Sequence, residues 1–220
     1  FRRVLFRSDN LITFLNPGPG ARILDVACGK GRHSVYLNKK GFSVCGFDLS
    51  KESIEHNKKY ESRYLTFLVH DMRDPLPNQQ FDIIFNLFSS FGYFDSHEDN
   101  EKVIRANADT LQKGGKLVID YMNSRKVARN LVAEDIKECR GIKFFQKRKI
   151  ASGKIIKNIY FSDKTNNYSF EEHLQLYSLM DFEKMLHHNN LVLKNVFGDY
   201  LLNEFNVEQS DRLILIAEKL

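Results

Sequence analysis

Short apolar runs alternate with helix-length segments as far as Tyr121, and this rhythm constrains the fold more than any other feature. Residues 22–27, 42–47, 64–69, 81–87 and 116–121 read as strands. Between them, Val35, Tyr36 and Leu37 lead a helix to Lys40, with Gly41 as its stop. Ser50 is placed to cap a helix over 51–60, with Ser53 at the capping-box position. A further helix is predicted over 98–111, ended by Gly114-Gly115. Strands that alternate with helices imply a parallel sheet with right-handed crossovers.

The rhythm changes after Asn123. Residues 143–150, 154–163 and 168–176 read as antiparallel strands with turns at Ser152-Gly153 and Asn166-Asn167. A helix capped by Ser178 runs to His188 and stops at Asn189-Asn190, and strands follow at 191–197 and 212–218. The expected fold is α/β: a doubly wound, seven-stranded, mostly parallel sheet with an inserted antiparallel β-meander at about 137–177.

The first eight residues, FRRVLFRS, back-translate in frame to a common sequencing adapter. They are set aside as foreign, leaving a single domain over 9–220. The formal charge of +5 rests partly on Arg2, Arg3 and Arg7; without them 30 basic face 28 acidic residues. Charge then gives little reason to expect a nucleic-acid partner. No apolar run approaches a membrane span, and nothing resembles a secretory signal. Cys28, Cys45 and Cys139 form no CxxC pair, so neither a metal site nor a disulfide framework is expected, and a cytoplasmic setting fits.

Three strand ends carry the candidate chemistry. ILDVACGKGRHS places a glycine turn between strand and helix, with the spacing Asp25-x-Ala27-x-Gly29-x-Gly31. Such a turn lets backbone approach a ligand, and the helix start adds free N–H groups. A nicotinamide fingerprint would need glycine where Ala27 and Ser34 stand. Asp48 ends the second strand, where a carboxylate can accept both hydroxyls of a ribose. His70-Asp71-Met72-Arg73 follows the third; an acid there can accept an adenine amino group, and an apolar neighbour can cover the ring. Taken singly, each also fits a plain turn, an exposed acid or a polar loop.

As a set, these segments resemble the class I (Rossmann-like) S-adenosylmethionine-dependent methyltransferases over about residues 11–220. LDVACGKG is similar to their first motif, GFDLS to the acidic motif after it, HDMRD to the adenine motif, and FDIIFNLFSSFGY and LQKGGKLVID to the later strand blocks. NLFSSFGYF further resembles small-molecule members, including amino-sugar N-methyltransferases with a similar β-insert. The resemblance implies S-adenosylmethionine as cofactor. Ala27, Cys28, Gly29 and Gly31 would form the turn at its methionine end, with Asp25 orienting it. Asp48 and Leu49 would take the ribose, Asp71 and Met72 the adenine, and Asn86, Leu87 and Phe88 the sulfonium side. The family usually has glycine at the position of Ala27. Its members also carry helices before the first strand that close over cofactor and substrate; with residues 1–8 set aside, only 9–15 would remain of them, so cofactor binding is expected to outlast turnover.

The expected acceptor is a small molecule methylated on O or N. A general base is needed only if the acceptor arrives protonated; the candidates are Tyr93, His97, Tyr121 and His173, unranked. Phe88, Phe91, Tyr93 and Phe94 could face a cation or simply pack. Residues 137–164 hold nine basic and two acidic side chains, which fits an anionic acceptor, RNA or a solvated face. An RNA methyltransferase is one alternative, although Asn86-Leu87-Phe88-Ser89 departs from the [DN]-P-P-[FY] pattern. An inactive cofactor-binding fragment is another, and a nicotinamide-dependent reductase a more distant one. Nothing in the sequence points to an oligomeric state.

Overall fold

The computed structural model describes residues 2–163 and 166–220, with side chains from Ser8 onward. Its larger sheet has seven strands: β1 (Arg22–Val26), β2 (Ser43–Asp48), β3 (Leu65–Val69), β4 (Phe81–Asn86), β5 (Leu111–Met122), β10 (Leu191–Phe197) and β11 (Arg212–Lys219). Their order is β10-β11-β5-β4-β1-β2-β3. Strands β1 to β5 pair in parallel, while β11 lies antiparallel between β5 and β10. The chain winds from β1 to one edge, returns beside β1 as β4, and then winds outward the other way. A crevice opens at this switch point, outside the carboxyl ends of β1 and β4.

Four of β1's five residues are buried, as befits a central strand covered on both faces. Alternation divides its side chains between two cores. Leu24 and Val26 face a layer with Val103 and Ile104 of helix α4 (His97–Thr110) and Phe182 and Met185 of α6 (Leu179–His188). Ile23 faces the other, with Leu11 of α1 (Arg2–Leu15), Leu37 of α2 (Arg32–Lys39) and Ile54 of α3 (Lys51–Asn57). The backbone of residues 2–7 continues α1, whereas their side chains lie outside the described residues. No helix among the described residues is long and apolar enough to cross a membrane.

The insert is a four-stranded antiparallel sheet of β6 (Glu134–Cys139), β7 (Ile142–Ala151), β8 (Lys154–Asp163) and β9 (Asn166–Gln175). The meander therefore has one strand more than the sequence suggests and starts at Glu134 rather than near 137. EDIKEC lacks an apolar stripe because β6 is an exposed edge, where charge discourages further pairing. The short polar helix α5 (Ser124–Arg129) also escapes the apolar pattern; Asn123 caps it, and Lys126 and Arg129 bind Asp211 and Glu208.

Gly114-Gly115 does not end α4, which stops at Thr110. The two glycines lie within β5, where the register to β4 jumps from Phe81↔Leu111 to Ile83↔Lys116. A Cβ at residue 115 would meet the Gln112 carbonyl at 2.8 Å, so glycine is required there for close backbone approach.

Candidate functional site

The turn between β1 and α2 is held in a left-handed path at Ala27, Gly29 and Gly31, with φ of 55°, 52° and 66°. A side chain at residue 31 would strike the Phe67 ring at 2.9 Å. Two neighbours fix the turn: Gly29 N–H donates to Asp48 Oδ2 at 2.8 Å, and Asn57 Nδ2 donates to the Gly29 carbonyl at 2.8 Å. Helix α2 then begins without a side-chain cap, which leaves its first N–H groups to other partners. Asp25 lies buried beneath, accepting the Ser34 hydroxyl at 2.5 Å. Burial pushes its carboxyl up to about 6 against that hydrogen bond, and the charge of Asp48 adds to the rise. Burial, helped by the charges of Asp25 and Asp48, also pushes the Cys28 thiol well up, so it stays protonated at neutral pH.

Two cavities meet at Ala27. The larger, about 380 Å³, is lined by Asp25, Ala27, Cys28, Gly29, Arg32, His33, Leu87 and Phe88. The smaller, about 100 Å³, is lined by Ala27, Asp48, Leu49, His70, Asp71, Met72 and Phe94, with Phe47 behind. Leu49 is 70% exposed, an uncovered apolar side chain beside a carboxylate. Asp71 is locked by Arg73, whose Nη2 donates to Oδ2 at 2.6 Å, and this holds its carboxyl below the usual range. The Arg73 guanidinium in turn lies 4.5 Å from the Phe94 ring centroid. Each oxygen of Asp48 accepts one N–H, from Gly29 and Ser50, and keeps a second lone pair for a ligand hydroxyl.

A methyltransferase domain family model matches residues 2–196. The chain belongs to that family. It is 32% identical over 100 residues to the dTDP-3-amino-3,4,6-trideoxy-alpha-D-glucopyranose N,N-dimethyltransferase of Streptomyces venezuelae, covering 44% of this chain and 41% of that protein. It is 22% identical over 209 residues to the cypemycin N-terminal methyltransferase of a Streptomyces species, covering 92% and 85%. Seven curated relatives, the first included, align over only 40–44% of their own length. The fold matches an S-adenosylmethionine-dependent methyltransferase from Clostridium acetobutylicum ATCC 824 with a TM-score of 0.82 at 20% identity, over 97% of this chain and 91% of that one.

Within this methyltransferase domain, ten of the twelve residues singled out from sequence for the cofactor line the two cavities, and Gly31 and Asn86 do not. Gly31 lies at the start of α2 beside the larger cavity. Asn86 ends β4 fully buried and lines neither cavity; its side-chain amide has no hydrogen-bond partner among the described residues. The four candidate bases also stand outside both cavities. Tyr121 is fully buried and donates to the Gln175 carbonyl, a packing role. His97 lies 3.3 Å from the Tyr177 hydroxyl at the start of α4. His173 sits on the insert between Glu171 (2.8 Å) and Asp95 (3.3 Å), and these acids push its pKa up. Tyr93 is half exposed under the insert; burial, with the charge of Glu172, pushes its phenol up.

Sequence reading missed Arg32 and His33, which line the larger cavity. The signal was present, since both open the helix that follows Gly31. His33 is buried, bonded through Nδ1 to Ser8 Oγ at 2.6 Å, and packs on Phe88 at 4.6 Å between ring centroids. In the insert, Lys147, Arg148, Lys154 and Lys157 pair with Glu134, Asp135, Asp95 and Glu172. Four of the nine basic side chains over 137–164 are thereby paired within the chain. Lys164 lies outside the described residues.

Proposed function

We propose that this chain is an S-adenosylmethionine-dependent methyltransferase acting on a nitrogen of a small, amine-bearing acceptor. The observation that carries the reading is the pair of cavities meeting at Ala27, with Asp25, Asp48 and Asp71 at three neighbouring strand ends. The larger cavity fits the methionine end, against the turn backbone and the open start of α2. The smaller fits the adenosine: Asp48 for the ribose, Asp71 for the adenine amino group, and Leu49 and Met72 for the ring faces. When bound, the cofactor supplies a methyl group on a positively charged sulfur.

The protein's part is orientation and a dry approach. Phe88 walls the methionine cavity on the side of the β4 exit. Tyr93 and Glu172 lie near one another between that exit and the insert, and a carboxylate and a phenol there would attract an amine-bearing molecule, whose nitrogen must reach the methyl group unprotonated. Relatives named as N-methyltransferases support nitrogen over oxygen as the target. Ion pairing of Lys147, Arg148, Lys154 and Lys157 within the chain weighs against RNA. Three unpaired cysteines suit a cytoplasmic setting.

Thermal-shift titration with S-adenosylhomocysteine and, separately, NAD tests the cofactor. A ligand confined to the native state stabilises by about 2.7 kcal/mol at one hundred times its dissociation constant. Saturable stabilisation by S-adenosylhomocysteine alone is expected; stabilisation by NAD alone would overturn the reading. Transfer of labelled methyl to an amino sugar, and not to its hydroxyl analogue, tests the acceptor atom.

A further inference from the structure

The β4 exit turns on two consecutive non-glycine residues in left-handed backbone, Phe88 (φ 61°) and Ser89 (φ 58°). Such a pair persists only where its surroundings over-determine it. Here a single residue captures both. Asp120, fully buried on β5, accepts Phe88 N–H at Oδ2 (2.9 Å) and Ser89 N–H at its carbonyl (2.9 Å). Arg212 on β11 donates Nε to Asp120 Oδ1 at 2.7 Å, and its Nη2 reaches Ser89 Oγ at 3.0 Å. The Tyr200 hydroxyl completes Oδ2 at 2.6 Å.

We infer that the Asp120–Arg212 pair is a positioning device for the methionine end of the cofactor site. It fixes the left-handed turn that presents Phe88, and Phe88 packs against His33 on the wall of the larger cavity. Released from Asp120, residues 88 and 89 return to ordinary backbone angles and the Phe88 ring leaves the cavity wall. The smaller cavity takes no residue from this turn. The device therefore acts on one half of the cofactor only. Arg212 neutralises the buried carboxylate and also holds Ser89, so a point charge in its place is insufficient. The inference rests on the reading that the two cavities hold S-adenosylmethionine.

The test is calorimetric titration of wild type, Asp120→Asn, Arg212→Lys and Tyr200→Phe with two probes. S-adenosylhomocysteine occupies both halves; 5′-methylthioadenosine carries the adenosine without the amino-acid tail. Losing a hydrogen bond to a charged group should lower S-adenosylhomocysteine affinity about tenfold or more in Asp120→Asn and Arg212→Lys. Tyr200→Phe should lose less, and all three should bind methylthioadenosine as wild type does. Equal loss of both probes, or folded variants with unchanged S-adenosylhomocysteine affinity, would overturn the inference. If Asp120→Asn does not fold, the other two variants decide, because each keeps the carboxylate. Wild-type protein that takes neither probe would instead overturn the cofactor reading, and this inference with it.

Discussion

Gly29 and Asp48 are joined by a 2.8 Å hydrogen bond from the backbone of one turn to the side chain at the end of the neighbouring strand. The acid proposed to hold the ribose thus also fixes the turn proposed to hold the methionine end. Asp48→Ala should therefore do two things: weaken S-adenosylhomocysteine binding, and cost about 1–2 kcal/mol of stability by leaving the Gly29 N–H unpaired. Asp48→Asn keeps an acceptor for Gly29 and should melt closer to wild type while still binding poorly. Melting curves of the two ligand-free variants check this, and equal melting of Asp48→Ala and wild type would remove the structural half of the claim. The sequence alone does not reveal this partner, which lies nineteen positions from Asp48.

The fold was legible because its central strands are buried on both faces, so apolar runs such as Phe81–Asn86 stand out. The proposed adenosine side was legible for a similar reason: Asp48 ends a strand, and Asp71 and Met72 come just after one. What stayed hidden depends on pairing between distant segments. Asp120 reads as an ordinary acid within LVIDY until Arg212 and Tyr200 are brought beside it. Strand β6 was missed because an exposed edge needs no apolar stripe. Tyr121 and His173 looked chemically able, yet the structure spends one on packing and the other on surface acids.

Asp25 makes stability depend on pH. Its carboxyl is pushed from 3.8 to about 6 by burial, so between those values the native state holds a proton that the unfolded chain has released. Stability from this group is full below the unfolded value and declines as pH rises through about 6. Asp25→Asn removes the buried charge and leaves an acceptor for Ser34. The ligand-free variant should exceed wild type by on the order of 1–3 kcal/mol near neutral pH, a gap that closes by about pH 4. Denaturant melts across this range check the sign, and a gap independent of pH would count against the assignment.

Ala27 occupies a backbone angle that glycine adopts freely, with φ at 55°. Ala27→Gly relieves that strain but loosens the unfolded chain by about 0.4–1 kcal/mol, so the expected net change is small, from neutral to about 1 kcal/mol stabilising. S-adenosylhomocysteine affinity should be kept. Ala27→Val should lose stability, since a β-branched residue resists positive φ, and should lose binding, since Ala27 borders both cavities. Paired melting and titration of the two variants would expose an error if Ala27→Gly proved the worse.

Tyr121 separates packing from chemistry. Its hydroxyl donates to the Gln175 carbonyl and ties β5 to the last strand of the insert, while the ring packs against Phe91 and Phe182. Burial pushes the phenol far up, which suits a neutral hydrogen-bond donor and not a base at neutral pH. Tyr121→Phe should cost about 1–2 kcal/mol through the lost buried bond and leave S-adenosylhomocysteine affinity unchanged, because Tyr121 borders neither cavity. A variant that melts like wild type yet no longer transfers methyl groups would return Tyr121 to the reaction and place the acceptor deeper than the proposed entrance at Tyr93.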